Sequence, residues 1–316
     1  MSNDNKKRFK IFDTQREGRG VEKGEDTSPT LGFFFKQLGR KFWKLVSVNL
    51  IMILQIVPLV IGIAVYTMGP TTPTVMYPTY SVLLGAQTAA PTSVGATMLS
   101  AASGLNRIPT ADTHVYWVIA ILAIIHIFTY GWQKVGSTYI MRNLVRGDGV
   151  FIVSDFFYAI KRNFKQGLVL GILDSLIIGL LAVDFIIMLS QPASGINNFM
   201  YAAIIALFIM YLFMRMYTYL MLVTFNIKTT KIFKNALIFT ILGIKRNLMA
   251  ALGVVLVVAL VAALCFVAVS LSFGLLPVVI ILAALIVLAL LDFICTYAAY
   301  PVIEKYMINA PTPSES

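Results

Sequence analysis

The stretch FIVSDFFYAIKRNFKQG, residues Phe151 to Gly167, is short, basic and amphipathic, and it runs straight into a long apolar segment. Wound as a helix, it places Ile152, Phe156, Ile160 and Phe164 on one face, because residues four apart stack. Asp155, Arg162 and Lys165 fall on the other face, with Lys161 at its edge. Ser154 or Asp155 can serve as N-cap and start the helix there. Two settings suit such a segment. It lies in a membrane surface with its basic side towards anionic headgroups, or it packs its apolar face on the protein's own core. In the first setting Phe156, Ile160, Phe164, Lys161, Arg162 and Lys165 form a membrane-surface or partner-docking face.

The pattern occurs three times. Leu31, Phe34, Phe35, Leu38 and Phe42 make a similar face, surrounded by Lys36, Arg40, Lys41 and Lys44. Lys231, Ile232, Phe233, Lys234, Ala236 and Leu237 open a third copy that ends at Lys245-Arg246-Asn247, a tripeptide matching Lys161-Arg162-Asn163. Lys245 and Arg246 thereby join the docking set. A transmembrane stretch follows each copy. The sequence reads as three repeats of a surface helix plus a helical hairpin.

The 316 residues are 59% hydrophobic and 12% charged, with a mean hydropathy of +0.84. A soluble domain carries roughly 25% charged residues, so the composition is that of an integral membrane protein. The net charge of +11 sits where membrane topology puts it, and we expect the bilayer, not nucleic acid, as partner. The first 44 residues are too polar and too long for a signal-peptide n-region, so the first apolar segment should remain as an anchor. Cys265 and Cys295 both fall in apolar segments, one in the outer half of its span and one near the inner end. Neither a disulfide nor a metal site is expected.

In chain order, residues 1 to 29 read as a disordered cytoplasmic tail. Residues 30 to 308 form the transmembrane domain, and residues 309 to 316 form a short tail. A hydrocarbon core of about 30 Å needs about 20 helical residues. Six stretches qualify: about 45–66, 115–135, 168–189, 199–224, 251–273 and 276–300. The helix after the second span should continue through Gly136 to Gly149. Residues 67–114 form an external loop whose prolines Pro70, Pro73, Pro78, Pro91 and Pro109 forbid a long helix. A short helix is expected around Thr97 to Gly104. The fold class is all-α, polytopic, with six transmembrane helices and amphipathic cytoplasmic surface helices. Lys and Arg number 23 on the proposed inner side and one, Arg107, on the outer. The positive-inside rule then puts both termini in the cytoplasm and the protein, multi-pass, in the cell membrane.

The motifs of soluble enzymes are missing: there is no G-x-x-x-x-G-K-[ST], H-E-x-x-H or G-x-S-x-G. His114 and His126 are the only histidines, too few for metal ligation or general-base work. No cofactor and no catalysis are expected. Asp174, Asp184, Arg215 and Asp292 lie within apolar spans, where an unpaired ion costs several kcal/mol. Counted at about 1.5 Å per residue from the inner ends, Asp174 lies about 9 Å deep, Asp292 about 12 Å and Arg215 about 13 Å. Arg215, Asp292 and Asp174 therefore form a candidate intramembrane charge cluster, either a structural ion pair or the lining of a solute pathway. Arg215 should pair with a carboxylate; Asp174 and Asp292 both qualify, with Asp292 preferred because the Gly274–Pro277 break frees the last span.

The inner motifs resemble those of the YesL-like family of bacterial membrane proteins, defined by a domain of unknown function. They are GSTYIMRNLVRGDG with SDFFYAIKRNFKQ, then YLMLVTFNIKTTKIFKNALIF, Lys245-Arg246-Asn247-Leu248, and YPVIEKYMI. The likeness runs from about Leu31 to Ile308. The loop at 67–114 is longer than is usual in that family. The resemblance implies an accessory part in carbohydrate uptake, with subunits of a carbohydrate importer as partners, and brings no catalytic residue with it. The alternative is a small-solute transporter with a pathway around Arg215, Asp174 and Asp292.

Overall fold

Apolar runs long enough to cross a bilayer become helices because only a helix satisfies its own backbone there. The computed structural model describes residues 28–67, 71–74, 106–109, 113–192 and 194–309. In order these form α1 (Leu31–Ile53), α2 (Val57–Thr67), β1 (Thr71–Thr74), β2 (Asn106–Pro109), α3 (Thr113–Arg146) and α4 (Ile152–Arg162). Then come α5 (Phe164–Leu189), α6 (Gly195–Thr224), α7 (Thr229–Leu242), α8 (Ile244–Leu271), α9 (Leu276–Ala284) and α10 (Val287–Ile303). A 3-10 turn, Phe273–Leu275, precedes α9, and a π-helical turn, Glu304–Ile308, follows α10. Among the described residues, five helices are long and apolar enough to span, or six if the broken pair α1 and α2 counts as one. The all-α polytopic fold is therefore what the chain adopts.

Three expectations need correction. The first surface helix and the first span are not separate: α1 runs unbroken from Leu31 to Ile53, and the break falls at Leu54–Ile56. The last span is interrupted between Ala284 and Val287. The loop contains a ribbon, β1 pairing antiparallel with β2 so that Pro73 faces Arg107. The helix expected at Thr97–Gly104 and most of both tails lie outside the described residues.

The chain divides into two compact units. The smaller, Ile56–His126, holds α2, the ribbon and the first part of α3. The larger, Met1–Gln55 with Ile127–Ser316, holds everything else. Its core is concentrated at one end. Buried residues of α5 stop at Asp174, those of α6 start at Tyr211, and those of α8 are Asn247, Ala250 and, far along, Ala268. That packed end carries the basic residues of α4 and α7. At the other end the helices expose apolar side chains such as Leu180, Phe199, Leu260 and Phe266, a surface suited to lipid.

The interruption between α9 and α10 leaves backbone groups without helical partners, and Asn49 of α1 takes them. Its Nδ2 donates to Ala284 O, and its Oδ1 accepts from Ala289 N at 2.8 Å. Asn49 is fully buried, so this side chain restores bonds that neither water nor the helix supplies.

Part of the predicted repeat is real, but in a different register. A shift of 80 residues carries the joint Asn163, between α4 and α5, onto Gly243, between α7 and α8. The same shift carries the buried Ile152, Phe156 and Ala159 onto the buried Ile232, Ala236 and Phe239, and the buried Phe213 and Tyr217 onto Phe293 and Tyr297. In that register Lys165 corresponds to Lys245. The matching tripeptides are thus one helical turn out of step. Asn163 sits at its joint, whereas Asn247 lies inside α8, accepting from Tyr217 Oη at 2.6 Å and donating to Thr240 O at 3.0 Å.

Candidate functional site

The charge centre is set by how closely α3 and α5 cross. Gly131 of α3 lies against Gly167 and Gly171 of α5, so near that a Cβ on Gly131 would strike the backbone of both. Gly167 and Gly171 are four residues apart, the small-xxx-small spacing that lets membrane helices touch backbone to backbone. Three residues on, Asp174 is buried inside the bundle, its side chain 4% exposed. Its Oδ2 accepts from Arg215 Nε at 2.8 Å and Tyr219 Oη at 2.9 Å, and its Oδ1 from Tyr211 Oη at 2.8 Å. The three donors all come from α6. The Arg215 guanidinium also lies 5.4 Å from the Tyr130 ring centroid, within cation–π range.

Arg215 therefore meets a carboxylate, but Asp174 and not the preferred Asp292. Asp292 is taken by Lys134 of α3, with Ser137 Oγ donating to its other oxygen at 3.4 Å. Lys134 stood next to the expected end of its span and counted among the inner-loop cations. Because α3 continues to Arg146, Lys134 lies within the bundle and neutralises Asp292 there. Each cation also feels the other pair's carboxylate, Lys134 that of Asp174 and Arg215 that of Asp292. The three predicted residues plus Lys134 thus form one neutral group of four charges. Asp184, far along α5, is exposed.

At the basic end, side-chain donors cap helix carbonyls. Gln37 Nε2 of α1 donates to Leu144 O at 2.8 Å and Val145 O at 2.9 Å, closing α3. Arg142, another cation counted in the loop, is buried and donates to Val223 O at 2.7 Å, closing α6. Two further donors bind carbonyls outside the helices, Gln166 that of Ile227 at 3.1 Å and Tyr297 Oη that of Thr30 at 2.7 Å. Orphan carbonyls at helix ends need such partners.

The docking face of α4 is corrected in detail. The helix starts at Ile152, with Phe151 as N-cap and Asp155 Oδ2 reaching back to Phe151 N at 2.9 Å, so neither Ser154 nor Asp155 is the cap. Phe156 is buried against Gly136, where a Cβ would collide with its ring. Ile160 is half-buried. Phe164 is 48% exposed, because the joint at Asn163 ends α4 and the face does not continue across it. Its ring stacks on Trp132 at 4.5 Å. Lys161, Arg162, Lys165 and Lys245 are exposed and Arg246 is half-buried. The apolar residues that α4 turns outward are Val153, Phe157 and Tyr158; on α7 they are Leu237, Ile238, Ile241 and Leu242.

On α1 the buried stripe is Phe34, Gln37, Lys41, Leu45, Val48, Asn49 and Met52, whereas the expected Leu31, Phe35 and Phe42 are exposed. Sequence reasoning thus missed Lys134, Tyr211, Tyr219, Asn49 and Gln37. Only the Gly167–Gly171 spacing offered an advance signal for the crossing.

These elements define the class: an all-α integral membrane protein with a neutralised charge centre inside its helices. Residues 111–185 match the profile of a family described as "Protein of unknown function, DUF624", to which YesL-like proteins belong. The matched segment is similar to that family and covers α3, α4 and most of α5, hence Lys134, the glycine crossing and Asp174. No curated protein and no solved structure gives a match.

Proposed function

We propose that this is a non-catalytic accessory protein of the cell membrane. It holds its basic end in the cytoplasm and engages a partner membrane complex through α4 and α7. The observation that carries this reading is the outward surface of those two helices. Val153 and Phe157 on α4, and Leu237 and Ile241 on α7, are exposed beside Lys161, Lys231 and Lys234. Apolar anchors next to cations suit a protein partner at the headgroup level. The resemblance drawn from the inner motifs makes a carbohydrate importer the class of partner.

A photo-crosslinking residue at Phe157 or Leu237, in the full chain in native membranes, should yield adducts with importer membrane subunits; one at Gln191 should not. Adducts with lipid alone at both positions would leave these helices as surface anchors and overturn the docking reading. The orientation is tested separately: a cysteine in Ser93→Cys should react with an impermeant reagent in intact cells.

The transport alternative draws on a different observation. The side chains of Arg215, Lys134 and Asp292 retain 24%, 18% and 16% exposure, so the protein does not fully enclose the centre. If a variant with Lys134→Met and Asp292→Leu is folded and assembled but solute uptake stops, transport is the function.

A further inference from the structure

At the basic end of the larger unit lies a cavity of about 470 Å³, a volume within the range of small-molecule sites. It opens between the start of α1, the turn after α3, and the end of α10. Its walls include the rings of Phe33, Tyr297 and Tyr300 and the polar groups of Gln37, Arg146, Asp148 and Glu304.

The charges around it are unevenly committed. Arg142 is held by Val223 O and by Asn143 Oδ1. Arg146 faces Asp148 at 3.3 Å. Among the described residues Glu304 has no salt bridge or side-chain hydrogen bond, so its carboxylate is the charge left over.

Gln37 is fixed in the wall. It is 97% buried, and its Oε1 is enclosed with no hydrogen-bond partner. Its amide cannot be turned to relieve this, because Nε2 is fixed by two carbonyls, Leu144 O and Val145 O, that would repel an oxygen. Gln37 is thereby locked in the wall, and the acceptor the cavity presents is the uncommitted carboxylate of Glu304, among three aromatic rings. Acceptors of this kind are matched by N–H donors bearing positive charge, and ring faces attract the same charge. An anion would meet Glu304.

We propose that this cavity binds a small organic cation, an ammonium or guanidinium group on an apolar body, with Glu304 receiving its N–H groups and the rings of Phe33, Tyr297 and Tyr300 around it. The site is independent of the α4 and α7 surface, and its test does not depend on any importer.

The full chain would be placed in nanodiscs of phosphatidylcholine, which carry no net charge to attract amines, and titrated calorimetrically with phenethylamine and benzylguanidine. The neutral analogue 2-phenylethanol and the anion 3-phenylpropionate serve as controls. At least one cation should bind, with the neutral analogue about tenfold weaker or worse and the anion giving no heat. Glu304→Gln should unfold at the parent temperature and lose about tenfold in cation affinity. Absence of binding by both cations, equal binding of the neutral analogue, or unchanged affinity in Glu304→Gln would each overturn the proposal.

Discussion

Asp174 and Asp292 are both carboxylates within apolar helices, yet they are satisfied in different ways. Asp174 is enclosed, with three donors between 2.8 and 2.9 Å and a guanidinium as counter-ion. Asp292 has Lys134, one long contact to Ser137, and four times the exposure, 16% against 4%. The counter-ions differ in kind. A guanidinium presents a rigid planar fork of donors, while a lysine ammonium is a compact point charge on a flexible stem. The first pair is built as a lock; the second can be changed with less damage.

The largest expected effect comes from the crossing that positions the lock. Gly171→Leu forces a side chain into the backbone of Gly131, so α3 and α5 must separate, and no monodisperse protein should survive detergent extraction. Gly179, where a Cβ would meet nothing, is the control, and Gly179→Leu should behave as the parent. Next comes Asp174→Asn, which leaves Arg215 without its counter-charge; unfolding monitored in detergent should show a loss of about 3–5 kcal/mol. Lys134→Met should cost less, because Asp292 is less enclosed than Asp174, and adding Asp292→Leu should recover most of that loss. If Lys134→Met is as damaging as Asp174→Asn, the contrast between the pairs is wrong. The smallest effect is Tyr219→Phe, which removes one of three donors and should cost about 1–2 kcal/mol by the same measurement.

Hydropathy made the spans legible because burial in lipid constrains composition over a whole helix. Arg215, Asp174 and Asp292 stood out for the same reason. Their partners did not, since which face of a helix looks inward depends on contacts such as Gly131 against Gly171, and hydropathy does not encode it. On α1 the usual inference runs backwards. In water an apolar stripe marks the core, but in a bilayer the outside is apolar too, and Phe35 and Trp43 look outward while Gln37 and Asn49 look inward. The repeat was visible through its lysines, but the tripeptide match set its register one turn off. Buried positions such as Phe156 and Ala236 carry the true alignment.

Asn49 also sets a schedule. The groups it binds at Ala284 and Ala289 lie 235 and 240 residues further along the chain. At a synthesis rate of about 5–20 residues per second, the first helix waits on the order of 10 to 50 seconds for them. Throughout that interval a buried-type amide stands in the membrane without its final partners, and the larger unit cannot close until its last helix arrives. A chain that ends before Val287 would therefore leave the Asn49 amide without the Ala289 partner that completes the larger unit.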